Sequence, residues 1–358
     1  MENYVIGGIQ QIGIGVTDVK EAWSWYIDRF GMDCRIFEDE AEAKLMLPFT
    51  AGEPRKRHAV LAINLQGGGG FEIWQHKGKI PEKITGEIKL GDMGITVCKM
   101  KVRNINSAYE FFSGNGTTII SAPESDPSGQ PTFFIRDPYD NLFQMVEGNN
   151  WFMNEKKASG GAYGAIIGVS DIEKARLVYS DILGYDQVAY DVTGSFPDLG
   201  QIPGGDKKLR RVLLRSTKPQ GGPFSRIFGK SEIELIASTD KPGRKIYEGR
   251  IWGDPGFIHL CYDIRGMNVL REHCSKTGFP FRVDSEESHK GDSFDMGEAA
   301  GHFSYIEDPD GTLIEFVETH KLPVLKKLGW YINLKNRDPY KPMPDWILKT
   351  LKFSRVKI

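Results

Sequence analysis

The sequence predicts an α+β chain of four βαβββ modules, two to a domain, followed by a C-terminal tail. Three observations carry this. The stretch "QIGIGVTDVKEAWSWYIDRFGMD" from Gln11 aligns without a gap on "GAIIGVSDIEKARLVYSDILGYD" from Gly164. Two further strand–helix starts, "ITVCKMKVRNINSAYEFFSGNG" from Ile95 and "FIHLCYDIRGMNVLREHCSKTG" from Phe257, sit one in each half. A strand–turn–strand is duplicated as well: "FFIRDPYDNLFQMVE" ends at Glu147 and "SYIEDPDGTLIEFVE" ends at Glu318. Self-similarity of this kind outranks local propensity in reading a fold.

Each module start has the same logic. An apolar run ends at Val16 or Val169, and Asp18 or Asp171 follows as a helix N-cap whose carboxylate takes the first free N–H groups. Apolar residues then recur at helical spacing up to Gly31 or Gly184, where glycine permits the left-handed stop. The Asp-Pro pairs that follow set tight turns between alternating strands. "NEKKASGG" (154–161) is polar and Gly-rich, as a linker should be. The expected division is therefore 7–150, 162–320 and a tail, 321–358.

Bulk properties exclude several classes. The 358 residues suffice for two domains, and a formal net charge of −2 carries no nucleic-acid signature. No apolar run reaches the ~20 residues of a membrane-spanning helix. Cys34, Cys98, Cys261 and Cys274 lack metal-site spacing, and with no signal peptide a reduced cytoplasm is the expected location. Cys98 and Cys261 fall in strands and read as small core residues. "QGGGGF" (66–71) lacks the Lys-Ser/Thr of a phosphate loop and reads as a hairpin connection. The tail holds ten Lys/Arg against two Asp, with Trp330, Tyr331, Trp346 and Phe353, and "WILKTLKF" reads as the start of a short helix. It is expected to wrap on the domains, with a lid or an anionic surface as the other readings.

The module starts and the F/Y-x-x-D-P-D-G-x-x-x-E ending together resemble the vicinal oxygen chelate superfamily. Glyoxalase I, methylmalonyl-CoA epimerase, the fosfomycin and bleomycin resistance proteins and type I extradiol dioxygenases belong to it. The resemblance spans roughly residues 7–320. It implies that module pairs curl into half-barrels around a divalent metal ion (Zn, Mn, Ni or Fe), with ligands from the first and last strands. The corresponding positions are Gln11, Glu72, Val97 and Gln144 in the first half, and Gly164, Glu234, His259 and Glu315 in the second. The spacing Glu72 to Glu234 equals that of Val97 to His259, 162 residues in each case.

Read by domain, only the second set has an imidazole and two carboxylates, which such ions bind. The resemblance thus implies a site of His259, Glu234 and Glu315, with room for water or substrate at Gly164, and a first domain that is catalytically silent. Taken singly, His259 reads as a core histidine and each glutamate as a strand residue. One His with two Glu departs from the two-His ligand set of the dioxygenases and implies glyoxalase- or epimerase-like proton transfer beside a carbonyl, with Glu315 or Glu234 as base. His302 is a candidate pocket acid. The alternatives are a metal-free small-molecule-binding protein of the resistance type and a dioxygenase with an atypical site. A small-molecule substrate and no nucleic acid are the expected partners, and a homodimer is left open.

Overall fold

The protein, represented by a computed structural model, is described over residues 4–218, 220–286, 294–295, 300–325 and 330–357. The four modules are present. The first holds β1 (Val5–Gly15), α1 (Val19–Phe30), β2 (Cys34–Glu42), β3 (Lys56–Ile63) and β4 (Gly70–His76). The second holds β5 (Gly94–Val102), α2 (Ile105–Gly114), β6 (Thr118–Ile119), β7 (Glu124–Ser125), β8 (Pro131–Arg136) and β9 (Leu142–Glu147). The third has β10 (Ser159–Gly168), α3 (Ile172–Arg176, continued by a π-helical turn over Leu177–Ile182), β11 (Gln187–Gly194), β12 (Leu209–Arg215), α4 (Ser225–Phe228) and β13 (Glu232–Ser238). The fourth has β14 (Gly256–Arg265), α5 (Met267–Lys276), β15 (Val283–Asp284), β16 (Phe294–Asp295), β17 (Ala300–Glu307) and β18 (Leu313–Leu325).

The caps match the sequence reading. Asp18 accepts from the N–H groups of Lys20 and Glu21, and Asp171 from that of Lys174. Gly31 closes α1 at φ 64°, a conformation that costs a residue with a Cβ about 1 kcal/mol or more.

The pairing of modules differs from the expectation. One curled sheet runs β15-β17-β18-β14-β1-β4-β3-β2, so the first module joins the fourth. The other runs β11-β12-β13-β10-β5-β9-β8-β6, joining the second to the third. The seams are antiparallel: β1 lies along β14 from Val5↔Arg265 to Gly15↔Gly256, and β10 lies along β5 from Ser159↔Val102 to Gly168↔Gly94. Residues 7–150 and 162–320 are therefore not two self-contained half-barrels, because each contributes one module to both. The four first strands are near-continuous apolar runs, buried on both faces, so local pattern does not tell which strand meets which.

The helices fill the space between the sheets and share one apolar core that includes Phe30, Phe71, Phe112, Phe143 and Tyr262. Two matched hydrogen bonds tie helices to turns across this core. Tyr26 of α1 donates to Asp137 at 2.6 Å, and Tyr179 donates to Asp308 at 3.0 Å. These are the aspartates of the two Asp-Pro turns, so the turns also dock one sheet's helix onto the other sheet's hairpin. The tail forms β19 (Trp330–Asn333) on β18 and then α6 (Asp345–Leu348), extended as a 3-10 turn over Lys349–Ser354. Leu334, Met343 and Leu348 pack on Cys34, Ile63, Leu65 and Ile227, so the tail wraps the molecule as expected. Among the described residues no helix is long and apolar enough to cross a membrane.

Because both sheets need strands from both halves of the chain, cleavage in the linker (154–158) should leave the two pieces associated. They should co-elute in size-exclusion chromatography under native conditions. Residues 1–153 expressed alone should show no cooperative thermal transition. A sharply melting isolated fragment would contradict this shared-sheet architecture.

Candidate metal centre

The β1–β14 seam sets the geometry. Gln11 lies opposite Cys261, and Gly13 opposite His259. On the far side of β1, the parallel strand β4 puts Glu72 beside Gly13; on the far side of β14, β18 puts Glu315 beside Cys261. Four adjacent strands thus deliver Gln11, Glu72, His259 and Glu315 to one place. Ligand atoms of Glu72, His259 and Glu315 all lie within 4.8 Å of one another. His259 Nε2 is 3.1 Å from Glu315 Oε2 and 3.4 Å from Glu72 Oε2. Gln11 Nε2 donates to both carboxylates at 3.4 Å.

Gly13 makes the arrangement possible. A Cβ there would fall 2.4 Å from Cε1 and 2.6 Å from Nδ1 of His259, so the imidazole lies flat over the glycine. Trp252 is stacked against the same ring (centroids 6.4 Å apart, 14° between planes) and Tyr305 meets it edge-on at 5.6 Å. The imidazole is thus held by packing, which is how a ligand is kept at a fixed angle. Met46, Trp74, Trp252 and Tyr305 belong to one buried cluster lining this half-barrel.

The electrostatics suit a cation. His259 is fully buried, while the side chains of Glu72 and Glu315 keep about a tenth of their exposure, 10% and 9%. Burial alone would lower the His259 pKa, but the Glu315 and Glu72 carboxylates outweigh it and raise it to about 9. Burial pushes Glu72 upward, and the hydrogen bond and charge of His259 hold it below the ordinary carboxylate range. Gln11 Oε1 and both ring nitrogens of His259 are buried without a hydrogen-bond partner of good geometry. Two carboxylates, one imidazole and an amide whose oxygen is free form a donor set that fits a divalent ion, and buried polar atoms without partners call for an explanation of this kind.

This corrects three expectations. Glu234 does not join His259. It lies in the other sheet, on β13 beside Ile166, with Oε2 2.9 Å from Lys99 Nζ and Oε1 2.7 Å from Arg211 Nε. Burial would raise its pKa, yet Arg211 and Lys99 bring it down to about 2, so it is a fixed anion in an ion network. The cluster is not confined to the second half either, since Gln11 and Glu72 come from the first. His302 is not in the half-barrel: Tyr305 faces His259, whereas Ser304 Oγ reaches Met267 of α5. By strand alternation His302 shares the Ser304 side, and its Nε2 is 2.6 Å from Asp284.

The other four positions, Val97, Gln144, Gly164 and Glu234, all fall in the second sheet, where no such cluster forms among the described residues. Ile166 stands in the place of Gly13, opposite Val97. The room expected at Gly164 is absent, because a Cβ there would lie 1.9 Å from the Glu232 carbonyl oxygen. Lys99, the register counterpart of Cys261, sends its ammonium to Glu232 and Glu234, 2.9 Å from each. Gln144 donates to Thr132 Oγ1 at 3.2 Å. Leu199 and Ile202 fill the rest of the half-barrel with Val97 and Phe134.

Two substitutions separate the sheets. Glu72→Gln should reduce bound metal, measured by elemental analysis after dialysis, with little loss of thermal stability. Glu234→Gln should leave metal content unchanged and cost about 3–5 kcal/mol of stability in denaturant unfolding, because it strands Lys99 and Arg211. Gly13→Ala should displace His259 and weaken metal binding while the sheet persists. Metal loss in Glu234→Gln would contradict the assignment.

The comparisons agree with this architecture. Residues 8–145 match the family model of the Glyoxalase/Bleomycin resistance protein/Dioxygenase superfamily. A search of curated protein sequences finds no significant match. Among solved structures, a glyoxalase I mutant from Zea mays superposes at a TM-score of 0.54 and 13% identity, covering 87% of this chain and 93% of that one. A putative dioxygenase from Bacillus subtilis subsp. subtilis str. 168 gives 0.55 and 14%, covering 88% and 86%. At such identities the likeness speaks for the fold. Residues 8–145 thus carry the signature of the glyoxalase/bleomycin resistance protein/dioxygenase superfamily, and the chain as a whole shares the fold of these solved structures.

Proposed function

We propose that the protein is a metal-dependent enzyme that moves a proton beside a carbonyl in a small substrate with vicinal oxygens, a lyase or isomerase in type. The observation that carries this reading is the convergence of Gln11, Glu72, His259 and Glu315 from four adjacent strands. A divalent ion held there would stabilise negative charge developing on the substrate oxygens. The chain's own residues do the rest. Glu315 and Glu72 are the only carboxylates of the cluster and keep a little exposure, so either can take the proton. Trp252 and Tyr305 hold the His259 ring, and the apolar wall around Met46 and Trp74 excludes water, which strengthens every charge interaction inside. Gln11 presents its NH₂ to the carboxylates; rotating the amide by 180° would present its oxygen to a cation instead. One imidazole with two carboxylates differs from the two-His, one-carboxylate set of non-haem iron oxygenases, which favours proton transfer over dioxygen chemistry.

Metal-loaded protein should catalyse exchange or elimination of a proton next to a carbonyl in a panel of 2-oxo and 2-hydroxy carbonyl compounds, followed by NMR in D₂O. Glu315→Gln should lower the rate at least ~10²-fold with a native circular dichroism spectrum. Metal at 100 times its Kd should stabilise wild type by about 2.7 kcal/mol and the variant far less. Equal stabilisation would remove Glu315 from the ligand set. Metal-loaded protein that is inert across the whole panel would favour a binding role.

The raised His259 pKa gives a pH dependence with a definite sign. Below about 9 the imidazole carries a proton that must leave before the nitrogen can bind a metal. Mn or Ni affinity, measured by calorimetry, should therefore rise about tenfold per pH unit between pH 6.5 and 9 and level off above. A flat profile would show that His259 is not a ligand.

A further inference from the structure

A cleft outside both half-barrels is built for a different ligand. It has a volume of about 610 Å³, within the range of small-molecule sites, and lies where the start of β1, the end of the α3 segment and the end of β12 meet. Arg215, Lys218 and Lys230 line it with Tyr4, Tyr163 and Tyr185. From these residues we infer that the cleft binds a small phosphate ester carrying a flat ring, of the nucleotide class.

Charge is the first argument. No carboxylate of a described residue lies within 4.0 Å of Lys218 or Lys230, whereas Arg215 is paired with Glu232 at 2.9 Å. That glutamate also shares the Lys99 ammonium, 2.9 Å away, with Glu234, and the lining itself carries three cations, Arg215, Lys218 and Lys230. Asp181 also lines the cleft. Asp186, nearby, accepts from the N–H and Oγ1 of Thr217, each at 2.8 Å, and stays an anion whose charge is felt by Lys218. Arg215 spends Nε and Nη2 on Glu232, which removes the fork that would seize a carboxylate by two parallel bonds. What remains is a set of point charges, which suits a phosphate with its several acceptor oxygens.

The aromatic wall is the second argument. The Tyr4 hydroxyl is committed to the Ile182 carbonyl at 2.7 Å, and the Tyr185 hydroxyl to Ser231 at 2.7 Å and Tyr262 at 3.2 Å. Both rings are packed inward, Tyr4 against His273 and Tyr185 against Tyr262, and the ring left open for stacking is Tyr340, which lines the cleft and is 55% exposed. The wall also includes part of the π-helical turn Leu177–Ile182, where Leu183 N donates to Val178 O, five residues back, at 2.9 Å. Such turns are rare and recur at functional sites.

The test uses the full chain, stripped of metal with chelator, titrated by calorimetry with ADP and phenyl phosphate as ring-bearing probes and with pyrophosphate and adenosine as controls. At least one ring-bearing probe should bind in a salt-dependent way, more tightly than either control. The Lys218→Gln/Lys230→Gln variant, whose exposed substitutions leave the fold intact, should bind it at least ~10-fold more weakly, a loss of about 1.4 kcal/mol. Glu315→Gln should bind it as wild type does. The proposal is overturned if neither probe binds at millimolar concentration, if pyrophosphate binds as tightly as the probes, if the double variant is unaffected, or if Glu315→Gln loses binding, which would move the ligand to the candidate metal centre.

Discussion

Everything about the candidate centre depends on the antiparallel pairing of β1 with β14. These strands are separated by the length of two modules, yet their register decides which side chains share a face and a depth. With Gly13 opposite His259 and Gln11 opposite Cys261, the outer neighbours β4 and β18 deliver Glu72 and Glu315 to the same point. A shift of one residue would turn His259 to the helical face, because side chains alternate along a strand. The pairing is also what places two carboxylates beside an imidazole in a buried space. Such a set is unfavourable by itself, and the proton retained by His259 is its internal remedy in the absence of a cation.

The second sheet shows the other solution to the same problem. It has the same strand order and a glutamate at the same depth, but the cation is part of the chain. Lys99 lies 2.9 Å from Glu232 and Glu234, and Arg211 bridges Glu234 and Asp198. Burial would drive the Lys99 pKa down, and the two glutamates raise it instead, so the ammonium stays charged. Val97 and Ile166 then close the space that His259 and Gly13 keep open in the first sheet. One half-barrel is thus neutralised by its own lysine and arginine, while its counterpart sets two carboxylates and an amide around an imidazole. That asymmetry supports placing the proposed chemistry in the first sheet.

Much of this was legible in the sequence. Asp18 and Asp171 as caps, Gly31 as a stop, the Asp-Pro turns and the linker all follow from local pattern, and the family resemblance implies the eight positions at which ligands could lie. His259 and Glu315 were found in this way. What the sequence withheld was the partner of each module. The first strands are buried along nearly their whole length, so burial does not distinguish Val5–Gly15 pairing with Gly94–Val102 from its pairing with Gly256–Arg265. Grouping the ligand positions by order along the chain then put Glu234 with His259 and left Gln11 and Glu72 aside. A signal was present nonetheless: Gly13 faces an imidazole and Ile166 faces a valine, and a glycine conspicuous in an apolar strand often marks close approach. His302 is misplaced for a simpler reason: strand alternation sets it on the opposite face from Tyr305, and the sequence does not tell which of the two faces the site.

The Tyr26–Asp137 and Tyr179–Asp308 bonds bear on how stiff such a shared architecture can be. Each aspartate also accepts backbone N–H groups within its own turn, Asp137 from Tyr139 and Asn141, and Asp308 from Asp310 and Thr312. Burial still pushes both carboxyls up to about 6, against the lowering effect of those donors. A group that is both turn-former and cross-sheet acceptor cannot move without breaking several bonds at once, and cooperative networks of that kind favour a single arrangement. The clamps act between successive modules, helix of one and hairpin of the next, whereas the sheet seams act between first and fourth, and second and third. The two sets of contacts therefore link all four modules in a closed circuit. Displacing His259 relative to Glu72 would require the β1–β14 seam to slip, and with it the helices that Asp137 and Asp308 hold. The donor atoms are fixed before any ion arrives, and the binding energy of the ion is not spent on ordering them.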